Sequence, residues 1–165
     1  MREGDVVGAD GIEVRVLLVL PSGLFVGTDR VTYSPRGVSV LRAGDDAEHE
    51  ATLREAMDVD SLEPSLARTR LVDLLSSQER HLEALRLAFP ALTWDESEGT
   101  CAMFHGGPVR VIRWRYDGRW EAMWSTVHGV RIGSMGDTPV GAVAELRRQI
   151  GEMESWAQNF LKSGG

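Results

Sequence analysis

The residues best suited to metal or nucleophilic chemistry in this sequence are one cysteine and two histidines, Cys101, His105 and His128. A zinc site needs three or four such ligands close together in space. If residues 101 to 105 form a strand, Cys101 and His105 share a face but lie about 13 Å apart, which is too far for one ion. A nucleophilic cysteine beside His128 would need an orienting carboxylate, and the sequence identifies none. We therefore predict no metal ion and no cofactor, and we interpret Cys101 as a small buried hydrophobic residue.

The glycines and serines match no catalytic or phosphate-binding motif. Gly106 and Gly107 are not followed by Gly-Lys-Ser/Thr, and the glycines between 133 and 136 lack the strand-to-helix context and downstream acid of a dinucleotide site. No serine lies in the Gly-x-Ser-x-Gly frame of a nucleophile elbow. A small hydrolase or transferase with a site built from scattered residues is therefore the third of three functional hypotheses.

A basic and aromatic cluster is the first candidate binding surface. Residues 108 to 133 carry five arginines and two acids in an acidic chain. The candidate residues share one predicted strand face: Arg113, Arg115, Trp120 and Trp124. Such a face can stack nucleic-acid bases or receive an acidic partner through cation–π and charge contacts. The alternatives are that the tryptophans pack beneath a helix while arginine stems cover the rest, or that the basic strands face the acidic segment of the same molecule.

An acidic segment is the second candidate surface. Between residues 43 and 66, eight acids face one base, Arg54. The acids that we select as a hypothetical partner-binding surface are Asp45, Asp46, Glu48 and Glu50. This surface would attract cations or mimic a nucleic acid. The alternative is a solvated connector with a weakly amphipathic helix over residues 47 to 57.

An α+β fold has to position these residues in a chain of 165 residues. Residues 1–46 predict an N-terminal antiparallel β-meander of three or four strands. Residues 47–90 predict the acidic connector and one bridging amphipathic helix, which opens at Pro64 and closes at Pro90. Residues 91–165 predict a ββ(β)α unit, an antiparallel hairpin or sheet followed by a long helix.

Within this last unit, residues 91 to 99 are predicted as a polar link and residues 100 to 104 as a strand. Asp117-Gly118 predicts a two-residue type I′ turn, which would pair Tyr116 with Arg119 and Trp114 with Glu121. One face of the hairpin would then carry Ile112, Trp114, Tyr116, Met123 and Val127. The other face would carry Val109, Val111, Arg113, Arg115, Trp120, Ala122 and Trp124.

Residues 136 to 139 predict the start of the long C-terminal helix, because Asp137 or Thr138 can be the N-cap and Pro139 suits the first helical position. Its apolar stripe repeats at spacings of three and four: Val143, Leu146, Ile150, Met153, Ala157 and Phe160. This helix either packs across its own sheet or extends its later turns, with Trp156 and Phe160, to bind a partner. A second copy of the chain could fill that role, which would give a homodimer.

Three short segments between residues 109 and 150 are similar to a known family. They are Trp120-Glu121-Ala122, then residues 130 to 133, and then Gly136-Asp137-Thr138-Pro139 with Ala142. Together they resemble the strand–strand–strand–helix unit of HicB-type antitoxins and related small phage proteins, in which a glycine-rich step ending in Gly-Asp-Thr precedes a helix. The resemblance implies a module that covers the surface of a partner protein and has no chemistry of its own.

Charge and hydropathy select among the function classes. The net charge of −7 argues against non-specific binding to nucleic acid or to an anionic membrane. A single cysteine, no signal-peptide pattern and no long apolar run predict a cytoplasmic protein without a membrane span. We predict a non-enzymatic protein-binding module, a phage-type inhibitor or an antitoxin-like regulator. The alternative is a nucleic-acid or nucleotide-binding module that uses the basic-aromatic face.

Overall fold

The computed structural model describes residues 1–59, 64–97, 103–125, 129 and 131–163, with the backbone alone for Pro64 and residues 156–163. The α+β class is confirmed: these residues form two five-stranded antiparallel sheets and four helices. The chain divides into two compact units, Met1–Leu74 and Leu75–Gly165. The boundary between them falls within the second helix.

The first sheet contains five strands where three or four were expected. They are β1 (Val6–Ala9), β2 (Ile12–Val19), β3 (Phe25–Gly27), β4 (Thr32–Tyr33) and β5 (Ser39–Arg42). Their order is β4-β3-β2-β1-β5, so the last strand leaves the meander and pairs with the free edge of the first. The extra strand arises because Asp10-Gly11 lies between two strands, β1 and β2, and not ahead of the first one.

The core of this unit follows strict alternation along β2 only in part. Val14 and Val16 are buried against Phe25 and Tyr33. A β-bulge between Val16 and Leu18 then breaks the alternation, and both Leu17 and Leu18 are buried. A bulge inserts one unpaired residue, so two successive side chains enter the interior.

Three helices follow: α1 (Asp46–Met57), α2 (Pro64–Ser77) and α3 (His81–Ala88). The short acidic helix is confirmed as α1. The prediction of one continuous helix from Pro64 to Pro90 is wrong. Glu79 takes the left-handed conformation, with φ of 58°, and the Arg80 N–H donates to the Leu75 carbonyl at 2.9 Å. This is the hydrogen-bond pattern with which many helices end, but glycine, its usual sequence signal, is absent here.

The second sheet is a complete meander of order β10-β9-β8-β7-β6. Its strands are β6 (Trp94–Ser97), β7 (Met103–Gly106), β8 (Val109–Arg113), β9 (Trp120–Ser125) and β10 (Arg131–Gly136), followed by helix α4 (Pro139–Ser163). The prediction of a polar link over residues 91 to 99 is wrong where β6 lies. Trp94 explains the strand, because its ring is 1% exposed and lies across Gly106 of the neighbouring strand.

The register of the β8–β9 hairpin differs from the prediction by two residues. The strands pair Arg113 with Trp120, and not Tyr116 with Arg119. Of the two turn residues only Gly118 has a positive φ, whereas a type I′ turn needs it at both. A longer loop closes instead, with the Gly118 N–H donating to the Trp114 carbonyl at 3.0 Å. Because side chains alternate with a period of two, the shift leaves every paired residue on its predicted face.

Helix α4 begins where the sequence predicts and packs on the second sheet. Thr138 is its cap, since its Oγ1 accepts a hydrogen bond from the Gly141 N–H at 3.0 Å. Buried Ser134 of β10 donates to the Ala142 carbonyl at 2.7 Å, and a Cβ on Gly136 would lie 2.4 Å from the Ala142 nitrogen. The strand and the helix therefore touch backbone to backbone. No helix in the described ranges is long and apolar enough to cross a membrane.

Candidate binding surface

Two of the four predicted acids build the N-terminus of helix α1. Asp45 is the N-cap and accepts a hydrogen bond from the Glu48 N–H at 2.8 Å, while the Glu48 carboxylate accepts one from the Asp45 N–H at 3.2 Å. Glu48 also accepts two hydrogen bonds from the Arg42 guanidinium, at 2.7 and 2.8 Å, and lies 3.5 Å from Arg15. These bonds, those from Arg42 first, lower the pKa of Glu48 to about 2.

The other two acids are also paired within the chain. Asp46 lies 3.2 Å from the Arg2 guanidinium, and Glu50 lies 2.8 Å from Arg54 on the same helix. All four candidate acids therefore cap a helix or neutralise an arginine of their own unit. Their charge stabilises the fold, and a partner would compete with these arginines for it.

The basic-aromatic residues do not form one exposed face. Trp120 is 3% exposed and stacks on Phe104 with 5.6 Å between ring centroids. Trp124 is half-buried and packs against the same core. Arg113 lies over the Trp120 ring at 5.7 Å, and Arg115 is exposed in the loop after β8. The expectation of a base-stacking platform is therefore wrong for Trp120, which is buried beneath the helices with Arg113 over its ring, as the alternative predicts.

Helices α3 and α4 both pack on one face of the second sheet, where one cluster holds buried residues from the strands and both helices. We call the opposite face the outer face. One row of its side chains crosses all five strands: Ser97, Met103, Ile112, Glu121 and Met135. A second row runs beside it: Asp95, His105, Arg110, Met123 and Gly133.

The outer face is more apolar than a strand face that only meets water. Met103, Ile112 and Met135 are half-buried. Beyond Ile112, the Trp114 indole N–H donates to Glu121 Oε2 at 2.9 Å, which holds the ring over this face while 43% of its surface stays exposed. The alternation of the strands predicts which residues share this face. It cannot predict which face the helices cover, so these residues were not selected as a site.

A cleft lies at one end of the outer face, with a volume of about 430 Å³. Its described lining consists of Gly107, Pro108, Arg110, Met123, Ser125, Gly129 and Arg131. Among these described lining residues there are two arginines and no carboxylate. Neither arginine was among the predicted site residues.

A second cavity of about 320 Å³ lies between helix α3 and the edge of the core. His81 opens the helix, and its ring centroid lies 5.0 Å from that of Trp120 and 6.4 Å from that of Phe104, edge to face. Among the described residues, its buried Nδ1 has no hydrogen-bond partner. Burial lowers the pKa of His81, and Arg113 nearby acts in the same direction. An imidazole kept neutral among aromatic rings serves packing, so this cavity is the weaker candidate.

Buried carboxylates tie the first unit together. Glu3 accepts a hydrogen bond from the Val19 N–H at 3.0 Å, forms an ion pair with Arg70 and lies 3.3 Å from His49 Nε2. Burial lowers the pKa of His49, whose buried Nδ1 has no hydrogen-bond partner in the part of the chain that the structure describes. Burial acts to raise the pKa of Asp5, but hydrogen bonds from the Gly44 and Arg2 N–H groups lower it overall. Every oxygen of this cluster is engaged within the fold.

The residues first considered for metal chemistry gain no support. Cys101 and His128 lie outside the described residues, and His105 contacts Ser97, with 2.8 Å between Nε2 and Oγ. In the described part of the chain, no three histidine, cysteine or acidic residues are grouped to hold a metal ion. No family model, curated protein or solved structure matches this chain.

Proposed function

We propose that the protein is a non-enzymatic protein-binding module and that the outer face of its second sheet contacts the partner. The observation that carries the proposal is the row of half-buried apolar side chains, Met103, Ile112 and Met135, on the face opposite both helices. Methionine adapts its shape to irregular partners, and methionine and aromatic residues are enriched in protein interfaces.

The surroundings of this row resemble the rim of an interface. Glu121, Asp95 and His105 place polar groups between and beside the apolar side chains. Trp114 is exposed next to the row, and Tyr116, 96% exposed, lies on the adjoining loop. An apolar centre with a polar edge and a large aromatic ring is the usual composition of a binding surface whose energy comes from a few residues.

The resemblance to HicB-type antitoxins agrees with this proposal, since it implies a module that acts by covering another protein. The residues that carry it, Gly136, Thr138 and Ala142, build the junction between β10 and α4. These residues belong to the structure that supports the outer face and do not form the face itself. A phage-type inhibitor or antitoxin-like regulator is the form of the proposal that follows from this resemblance.

The test compares capture of proteins from a lysate of the source cells by the tagged full chain and by two matched variants. Met135→Glu places a charge in the apolar row. Met153→Glu makes the same change on helix α4, at a methionine that is 52% exposed. We expect a stoichiometric protein that wild type and Met153→Glu retain and Met135→Glu loses, after nuclease treatment.

Thermal unfolding of both variants shows whether the fold is intact. Equal capture by all three proteins would contradict the assignment of the outer face. Loss with Met153→Glu alone would instead move the contact to helix α4 and support the homodimer prediction or a partner helix.

A further inference from the structure

The cleft at the end of the outer face brings together two arginines from strands that are not neighbours. Arg110 lies on β8 and Arg131 opens β10, with β9 between them. Arg110 pairs with Met123, and Arg131 pairs with Ser125, so all four side chains are on the outer face. Strand spacing separates the two Cα positions by about 10 Å across the sheet, and a two-residue offset along the strands adds about 7 Å. The Cα atoms therefore lie about 12 Å apart, a gap that two arginine side chains can close around one ligand.

Both guanidinium groups border the same cavity, and no acid among the described residues neutralises either of them. Within the described residues neither Arg110 nor Arg131 forms an ion pair or a side-chain hydrogen bond. By contrast, Arg2, Arg42 and Arg54 are each paired with an acid. The chain has 25 acidic and 18 basic residues, so two uncompensated arginines beside one cavity favour a negatively charged occupant.

The geometry points to a binding site for a small phosphate-bearing molecule, with its phosphate between Arg110 and Arg131. A guanidinium presents a planar fork of donors that matches phosphate oxygens, and two of them balance the two charges of a phosphomonoester. The Ser125 side chain and the backbone of Gly107 and Gly129 border the same space. A volume of about 430 Å³ suits a ligand the size of a mononucleotide, with Met123 and Pro108 as apolar walls.

The inference of a phosphate site does not rest on the proposed protein-binding function, so its test needs no protein partner. Isothermal titration calorimetry of the full chain at low salt would use four probes: pyrophosphate, AMP, the dicarboxylate succinate and a short oligothymidylate. We expect pyrophosphate and AMP to bind. Arg110→Ala and Arg131→Ala should each weaken binding about tenfold or more, as the loss of a charge-assisted hydrogen bond predicts.

Two further variants separate geometry from charge. Arg147→Ala removes the same charge from an exposed position on helix α4 and should change the affinity by less than about twofold. Arg110→Lys keeps the charge but loses the fork, so its affinity should fall between those of wild type and Arg110→Ala. Thermal unfolding should be unchanged in all of these variants, because the replaced side chains are exposed.

The remaining outcomes overturn the inference. They are no heat with either phosphate probe at millimolar concentration, equal losses with Arg110→Ala and Arg147→Ala, or tighter binding of succinate than of pyrophosphate. Binding of the oligothymidylate without binding of AMP would make the cleft part of a nucleic-acid surface. Normal AMP binding together with failed protein capture would support the phosphate site and contradict the proposed protein-binding function.

Discussion

At the scale of single residues, two histidines with lowered pKa values, His49 and His81, make the stability of the fold depend on pH. Burial lowers the pKa of both His49 and His81, and within the described ranges neither buried Nδ1 has an acceptor for a second proton. In the unfolded chain the pKa returns to about 6.5. Below that pH the unfolded state binds protons that the folded state does not, so stability is complete above about pH 6.5 and declines as the pH falls.

We predict that His81→Gln flattens this decline for the second unit. All five tryptophans lie after residue 93, so tryptophan fluorescence reports on the unit that contains His81. Urea unfolding would be measured between about pH 7.5 and 5.5, in the range where a histidine titrates. The readout is the slope of stability against pH, which a simple packing defect would not change. An unchanged slope in His81→Gln would show that another group is responsible.

At the scale of elements, the junction between β10 and α4 depends on a glycine. Gly136→Ala would place a methyl group 2.4 Å from the Ala142 nitrogen, so the strand and the helix would have to separate. We expect a loss of about 1–3 kcal/mol in the free energy of unfolding, the usual cost of overpacking. Urea unfolding followed by tryptophan fluorescence measures it.

Gly151→Ala is the matched control for this prediction. Gly151 lies on α4 with open space around its Cα, so alanine should stabilise the helix by about 0.5–1 kcal/mol. If Gly136→Ala were as stable as Gly151→Ala, this result would contradict the close packing of β10 against α4.

Two Asp-Gly pairs show how far local sequence predicts an element. Asp10-Gly11 has positive φ at both residues, 51° and 82°, and joins β1 to β2 as a two-residue turn. Asp117-Gly118 has the same letters but closes a longer loop. The difference lies in the flanking residues: Arg113 contacts Trp120 across the hairpin, and Trp114 is bonded to Glu121, so tertiary contacts set the register. Local propensity alone does not include such contacts.

In other elements too, local sequence signals predict the structure, whereas contacts between distant segments are not predicted. Thr138-Pro139 marks the start of α4 correctly, because an N-cap and a proline at the first helical position act within one turn. The helix predicted over residues 47 to 57 begins one residue earlier, at Asp46, where Asp45 and Glu48 form a capping box. The helix break at Glu79 has no local signal. Strand β6 was missed because its segment is polar except for Trp94, and that ring finds its place only against Gly106 of another strand.

The sequence predicts which residues of the candidate site share a sheet face. It does not predict which of the two faces the helices leave uncovered. Alternation along β8 and β9 sorts Ile112 and Met123 from Val111 and Trp120 correctly. Charge and aromatic content favoured the face of Trp120, yet α3 and α4 cover that face. Which face a helix covers depends on the whole topology, so the outer face and its arginine cleft emerge only from the folded chain.

At the scale of the whole molecule, each compact unit contains its own sheet and its own hydrophobic cluster. The cluster of the second unit draws its buried residues from Leu85 to Leu146. We therefore predict that a fragment of residues 78–165 folds alone, with cooperative thermal unfolding and a near-UV circular dichroism spectrum set by its buried tryptophans. A fragment without that spectrum would show that the first unit is needed for the fold of the second.

We propose that the outer face of the second sheet binds a protein. Site-specific photo-crosslinking tests it most directly, with a photoreactive phenylalanine analogue introduced at Ile112 or, as a control, at Met153 of helix α4. Both variants would be irradiated in a lysate of the source cells. We predict one discrete crosslinked protein from position 112 and none from position 153. Crosslinks from position 153 alone, or none from position 112 while wild type captures a partner, would contradict it.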